Sequence, residues 1–97
     1  MNSNFANLME DLGNNIIYGA EVKLEKYTVH SVDAEAFVID EYCLSENEIN
    51  IVSTTGRYLE IKTYYIEDLE RFVEDDKVYY TYFLDGTEYT LIMDLVA

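Results

Sequence analysis

The chain has no proline and no tryptophan, one cysteine, one histidine, four glycines and only six basic residues in 97. Each scarcity closes something off. A lone thiol, Cys43, excludes an internal disulfide and fits a reducing compartment. A closed zinc site needs several His or Cys ligands, and His30 and Cys43 are all that the chain has of these. The glycines are scattered and form no phosphate-cradling loop. Direct binding of DNA or RNA is disfavoured, because phosphate contacts need Lys and Arg. No apolar run approaches the roughly 20 residues of a transmembrane helix. The N-terminal MNSNFANLMEDLG has no basic stretch leading into an apolar one. These features predict a soluble, unexported protein. A chain of this length is one domain, residues 1–97, and buries roughly two-thirds of its unfolded surface.

Acid and tyrosine are what the chain has in abundance. Twenty Asp and Glu against six Lys and Arg leave a net charge of -14. The imbalance is uneven: Ser31 to Gly56 holds six carboxylates and no Lys or Arg, and after Lys77 come three more, again with no basic residue. Such a surplus raises solubility and repels nucleic acid and anionic membrane, while self-repulsion lowers stability. The ten tyrosines bring large apolar area with a hydroxyl that stays wet or finds a partner.

The clearest element is Val78 to Leu95. Asp85-Gly86 reads as a two-residue hairpin turn, both residues tolerating φ > 0, so Leu84 faces Thr87 and Phe83 faces Glu88. One face then gathers Val78, Tyr80, Tyr82, Leu84, Tyr89, Leu91, Met93 and Leu95; the other gathers Tyr79, Thr81, Phe83, Glu88, Thr90, Ile92 and Asp94. At the N-terminus, Asn2-Ser3-Asn4 offers cap acceptors, and Phe5, Leu8, Met9 and Leu12 follow at helical spacing, predicting a helix over 4–12 closed by Gly13. Ala20 to His30 reads as a strand whose phase slips near Lys26, through a bulge or a strand end. Asp33-Ala34 is a weak turn before a strand over 35–43. Ser45-Glu46-Asn47 is a turn, 48–53 a strand with Ile49 and Ile51 inward, and Thr54-Thr55-Gly56 a second hairpin turn. The strand over 57–65 puts Leu59, Ile61 and Tyr65 on one face. In IEDLERFVEDD, Ile66, Leu69 and Val73 at helical spacing predict a short helix over 66–76. The expected fold is α+β: an N-terminal helix packed on an antiparallel sheet of about six strands, with a short helix before the C-terminal β-hairpin.

Chemistry is scarce. A Cys43–His30 pair needs a stabilised thiolate and an orienting third group; a buried thiol and a surface imidazole is the plainer reading. Asp75-Asp76 or Asp40-Glu41 could meet Mg or Ca, but neither sits in an alternating oxygen-ligand loop, so both read as solvated charge. With so many carboxylates, an acid–base pair is geometrically inevitable and uninformative. The expectation is no enzyme, no cofactor and no metal.

Carboxylate placement is the remaining signal. Side chains two apart on a strand lie roughly 6.6–6.8 Å apart, close to two phosphate steps of about 3.4 Å. Asp33/Glu35 and Glu46/Glu48 have that spacing, and Glu67, Glu70 and Glu74 add a second ladder at helical spacing. With Asp40, Glu41 and Asp75 they make the candidate contact set for a cationic partner, drawn in by electrostatic steering. A merely well-solubilised acidic domain is the bland alternative. Tyr58, Tyr64, Tyr79 and Phe83, expected opposite the core, suit interface anchors; the plainer reading is that the last helix covers them, or a second copy in a homodimer.

In its short acidic chain, in the segment DAEAFVIDEYCLSENEIN without a basic residue, and in the row of IEDLERFVEDD, the protein resembles the small acidic inhibitors that phages and mobile elements use against host defence nucleases, including anti-CRISPR proteins and other DNA mimics. That resemblance implies a CRISPR effector or another nuclease as partner, a bacterial cytoplasmic setting, and action by occupying the partner's nucleic-acid-binding surface. An immunity protein against a nuclease toxin and a structural or accessory homo-oligomer stand as alternatives.

Overall fold

A computed structural model of the protein describes residues 3–17 and 19–95. One helix, α1 (Ser3–Ile17), precedes seven strands: β1 (Glu21–Tyr27), β2 (Val32–Leu44), β3 (Glu48–Ser53), β4 (Tyr58–Lys62), β5 (Ile66–Glu74), β6 (Lys77–Leu84) and β7 (Thr87–Asp94). All pairings are antiparallel, in the order β4-β3-β2-β1-β7-β6-β5. The α+β expectation is thereby corrected: the chain is mostly sheet, with seven strands, and the segment expected as a second helix is β5.

Consecutive strands β4 and β5 lie on opposite edges of the sheet, joined by only Thr63, Tyr64 and Tyr65. The Cα atoms of Lys62 and Ile66 are therefore at most about 15 Å apart, four virtual bonds of ~3.8 Å. A flat sheet of this size would hold its edge strands roughly 29 Å apart, six spacings of ~4.8 Å. The sheet must roll until its edges approach at this link, and the inner face of the roll becomes the core. That core collects Phe5, Leu8 and Leu12 of α1 with Val22, Phe37, Ile49, Ile51, Leu59, Ile61, Leu69, Val78, Tyr80, Tyr82, Leu91 and Met93.

Two bulges help the sheet to bend. A straight strand of β2's length would run about 40 Å, longer than any principal extent of the molecule (34 × 31 × 27 Å). Its first half pairs with β1 and its second with β3, and between them the register slips from Ile39↔Ser53 to Glu41↔Val52. The extra residue, Asp40, also reverses the phase. Without it Glu41 would follow Phe37 and Ile39 inward; with it Glu41 and Cys43 turn out. In β5 the register slips from Glu67↔Phe83 to Glu70↔Thr81, with Asp68 at φ 54°. This bulge explains the false helical signal: one extra residue lets Leu69 reach the core at a spacing that imitates a helix. Asp75-Asp76, both at positive φ (51° and 62°), form the two-residue turn into β6 that such dihedrals favour, where the sequence reading placed a helix end.

α1 runs past Gly13, which was expected to end it. The real stop is Gly19 at φ 67°: its N–H donates to Ile16 O at 3.1 Å and the Ala20 N–H donates to Asn15 O at 2.9 Å, the paired closure of a Schellman motif. Asn2 of the expected cap lies outside the described residues. The helix is fastened to the inner face along its length. Asn4 Nδ2 donates to Leu69 O (2.8 Å), and Asn15 Nδ2 donates to Asp94 O (3.0 Å) and Asp11 O (2.9 Å). Between them the Tyr80 hydroxyl donates to Asp11 Oδ2, which also accepts from Arg71 Nε at 3.0 Å.

The Asp85-Gly86 turn, the Leu84↔Thr87 and Phe83↔Glu88 pairs, and the turns at 45–47 and 54–56 all form as expected. Of the two readings of the phase slip near Lys26, the strand end holds, with β1 ending at Tyr27. Three further expectations are corrected. The β1–β2 turn is Thr28–Ser31, held by Thr28 N–H to Ser31 O (2.9 Å) and by the two hydroxyls, so Asp33 and Ala34 lie inside β2. β4 stops at Lys62, leaving Tyr65 exposed in the link. Leu95, expected inward, is exposed beyond β7.

Gly13 lies mid-helix, and a Cβ there would meet nothing within 4 Å. Gly13→Ala should therefore stabilise the protein by about 0.8–1 kcal/mol, read as a raised denaturation midpoint. Loss of stability would mean that α1 ends at Gly13 instead. Burial, and for Tyr80 the Asp11 carboxylate as well, raises the pKa of Tyr80 and Tyr82. Folding thus favours the neutral phenols. Stability should hold up to about pH 10, where unfolded tyrosines ionise, and fall progressively above it. Tyr80→Phe should flatten that alkaline decline in denaturant titrations, and an unchanged slope would contradict the linkage.

Candidate functional site

The ten candidate carboxylates do not form one cluster. Asp33 and Glu35 sit on the inward-facing side of β2 at the open end of the roll, since Glu35 is opposite Leu24 and Asp33 opposite Lys26. They line a cleft of about 540 Å³ with Leu24, Lys26, Arg57 and Tyr89. Arg57 Nη1 meets Glu35 Oε1 at 2.6 Å, so this pair is charge-compensated. Its spacing suits a phosphate ladder, but its surroundings do not.

The other eight point outward or sit in exposed turns. Asp40 is the bulge residue and Glu41 lies beside it. Glu46 is in the β2–β3 turn and Glu48 at the start of β3, where it accepts from Asn50 Nδ2 at 2.7 Å. Glu46 is therefore not on a strand, and the Glu46/Glu48 pair is not a ladder on one face. That turn is tied to the edge-to-edge link by Thr63 N–H donating to Asn47 O (3.0 Å).

Glu67, Glu70 and Glu74 do share one face, though on a strand. Their register partners Phe83, Thr81 and Lys77 all belong to the outer face of β6. The bulge at Asp68 makes this possible: Glu70 is three positions on from Glu67, an odd step that would otherwise put them on opposite faces. Asp75 and Asp76 continue the negative charge into the turn. β5 is an edge strand, so one flank of this row is open.

Five of the six positive side chains are engaged in ion pairs within the fold, and the sixth, Lys26, lines the cleft with Asp33 and Glu35. Lys23, Arg57, Lys62, Arg71 and Lys77 each have a carboxylate within 4.0 Å, from Glu25, Glu35, Glu60, Asp11 and Asp94 respectively. Hydrogen bonding to Glu60 and to Asp94 raises the pKa of Lys62 and Lys77, and hydrogen bonding to Glu60 also raises that of the Tyr58 phenol. No described ion pair uses Glu67, Glu70, Glu74 or Asp75. The same holds for Asp40, Glu41, Glu46 and Glu48, so what sets β5 apart is that three such carboxylates share one face of one strand.

Aromatic side chains accompany it. Phe72, between Glu70 and Glu74, stacks on Tyr79 with centroids 4.8 Å apart and planes 3° from parallel. Tyr64 and Tyr65 of the link meet edge to face at 5.6 Å, and Lys62 Nζ lies 5.8 Å from the Tyr65 ring centre. Tyr58, Tyr64 and Phe83 are exposed as expected, and Tyr79 is half-buried. Phe72 was missed because it was read into a helix; taking Asp75-Asp76 as a turn would have restored the alternation of Glu70, Phe72 and Glu74.

Cys43 is exposed on the outer face opposite Asn50, not buried as the plainer reading had it, and His30 is exposed in the β1–β2 turn. Among the described residues no three His, Cys, Asp or Glu side chains gather to hold a metal ion, and no helix is long and apolar enough to cross a membrane. The surface that stands out is the outer face of β5 and β6, acidic and aromatic together. Comparison with family models, with curated proteins and with solved structures finds no match to this chain.

Proposed function

We propose that the protein is a non-catalytic inhibitor that binds a cationic nucleic-acid-handling enzyme, a CRISPR effector or another nuclease, and covers its nucleic-acid-binding surface. The observation that carries this reading is the Glu67, Glu70, Glu74 row on the outer face of an edge strand, continued by Asp75 and Asp76 and left without an ion pair. Glu70 and Glu74 lie roughly 13 Å apart along the strand, about four phosphate steps of 3.4 Å. Fixed on a sheet, these carboxylates lose little freedom when they meet Lys and Arg, and like a phosphate backbone they release counterions. The fourteen-charge excess steers encounter with a basic partner over a Debye length of about 8 Å in physiological salt.

The test is capture of a nuclease from bacterial lysate on immobilised protein, identified by mass spectrometry, then repeated with purified components. Binding should weaken steeply with salt and compete with added DNA. The triple variant Glu67→Gln, Glu70→Gln, Glu74→Gln should lose at least about tenfold in affinity, as expected when several charged contacts go. Asp33→Asn with Glu35→Gln, in the compensated cleft, should change little. Undiminished capture by the triple variant, or capture indifferent to salt and DNA, overturns the reading.

A further inference from the structure

Charge is half of what the outer face presents. Cross-strand register aligns Phe72, Tyr79, Ile92, Lys23 and Ala36 in one row across β5, β6, β7, β1 and β2. The row opens with the Phe72–Tyr79 stack, with Phe72 46% exposed and Ile92 beyond it half-buried. The next row to one side is Glu70, Thr81, Thr90 and Glu25. The next to the other side is Glu74, Lys77 and Asp94, and Glu21 joins it in a hollow of about 480 Å³ that Tyr79, Ile92 and Lys23 also line. Lys77 and Lys23 are held by Asp94 and Glu25, so each flank keeps a net negative charge. Across β5, β6 and β7 an apolar stripe of Phe72, Tyr79 and Ile92 thus runs with Glu70 and Glu25 on one flank and Glu74, Asp94 and Glu21 on the other, and ends at Lys23.

The helix lies on the other face and does not cover this stripe. A second copy fits it badly: each would bring a net charge of -14, and face-to-face packing would set glutamate rows against glutamate rows. Nucleic acid and anionic membrane meet the same repulsion. We infer that the stripe docks a basic amphipathic helix of the partner enzyme, with its apolar seam on Phe72, Tyr79 and Ile92 and its Lys and Arg over the two acidic rows. This rests on the partner being a cationic protein, as proposed above, and adds that an apolar seam, not charge alone, is recognised.

The dimensions agree. The flanking rows each lie two residues from the stripe along the strands, so they stand roughly 13 Å apart, while a helix with its side chains is about 10–12 Å across. Phe72 to Ile92 covers two strand spacings, ~9.6 Å, near the ~10.5 Å between helix positions i and i+7. Groove recognition of helices commonly uses anchors at that interval. The stacked rings offer the rigid aromatic contact typical of interface hot spots.

The test uses two synthetic peptides of equal positive charge: a helical leucine–lysine peptide with its leucines on one seam, and oligolysine. Binding is followed by fluorescence anisotropy at about 0.15 M salt and mapped by amide chemical shifts. The leucine–lysine helix should bind more tightly and shift amides of β5, β6 and β7. Phe72→Ser with Tyr79→Ser should weaken it about tenfold or more, the scale of lost anchor contacts, and leave oligolysine binding unchanged. Ile92→Ser, which removes the third anchor without changing the charge, is a second variant and should act likewise; thermal unfolding confirms that each variant folds. Equal binding of the two peptides, shifts centred elsewhere, or indifference to both variants overturns the inference. With the captured nuclease the two proposals separate. If the triple glutamine variant loses the nuclease but Phe72→Ser with Tyr79→Ser retains it, docking by an apolar seam fails and the charge reading stands. If the triple glutamine variant retains it, the charge reading itself fails.

Discussion

Three residues, Thr63 to Tyr65, join strands that hold opposite edges of a seven-stranded sheet, and the rest of the architecture answers to that short tether. Because the link cannot span a flat sheet, the sheet must roll. A rolled sheet needs filling, and α1 supplies Phe5, Leu8 and Leu12. A polar group brought inside with the helix must then be satisfied, and Asp11 is, by Tyr80 and Arg71. The buried faces of β6 and β7 meet the helix, so their opposite faces are necessarily the outer surface, where Phe72, Tyr79 and the glutamate row stand. Function, on the proposed reading, occupies the side that the roll turns outward.

Much of the acid is also structural. Asp68, Asp75, Asp76 and Asp85 are the non-glycine residues at positive φ among those described, and Asp tolerates that region because its short side chain can bond the local backbone. Asp40 marks the other bulge. Aspartate therefore shapes turns and bends here, and the net charge overstates how much acid is available to a partner. The glutamates are different. Glu67, Glu70 and Glu74 occupy ordinary strand positions that do not demand a carboxylate, which makes them the better candidates for a role beyond folding.

What the sequence revealed follows the same physics. Strict alternation from Val78 to Met93 with Asp-Gly between made the last hairpin readable residue by residue, because two strands had to agree on one buried face. Ile49 and Ile51 were readable for the same reason. Single inserted residues defeated the method: at Asp68 a bulge gave a strand the spacing of a helix, and at Asp40 it hid a change of face inside an apolar run. Gly13 misled because glycine is tolerated in a helix interior, while the residue that needs positive φ is Gly19, six places on. The acidic row was read from a helical spacing on a segment that is a strand, and it shares one face only because of the bulge at Asp68; its neighbour Phe72 was not visible at all, since a stack with Tyr79 across strands appears only once β5 is known to be a strand.

Edge strands commonly carry charge to prevent pairing with other chains, so the glutamate row on β5 invites that simpler explanation. The geometry argues for more. β5 is already guarded, since the bulge at Asp68 breaks the regular edge and α1 takes the Leu69 carbonyl through Asn4. The three glutamates project from the outer face, not along the edge where an added strand would bond. A guard against strand addition would also have no use for a stacked Phe72–Tyr79 pair held between acidic rows, because exposed aromatic area invites the contact that guarding is meant to prevent. Leaving that area open is tolerable only if like charge keeps copies of the chain apart while an oppositely charged partner can still approach. On the proposed reading, acid and aromatic together act as a filter: repulsive to self, nucleic acid and anionic lipid, and receptive to a basic protein surface with an apolar seam.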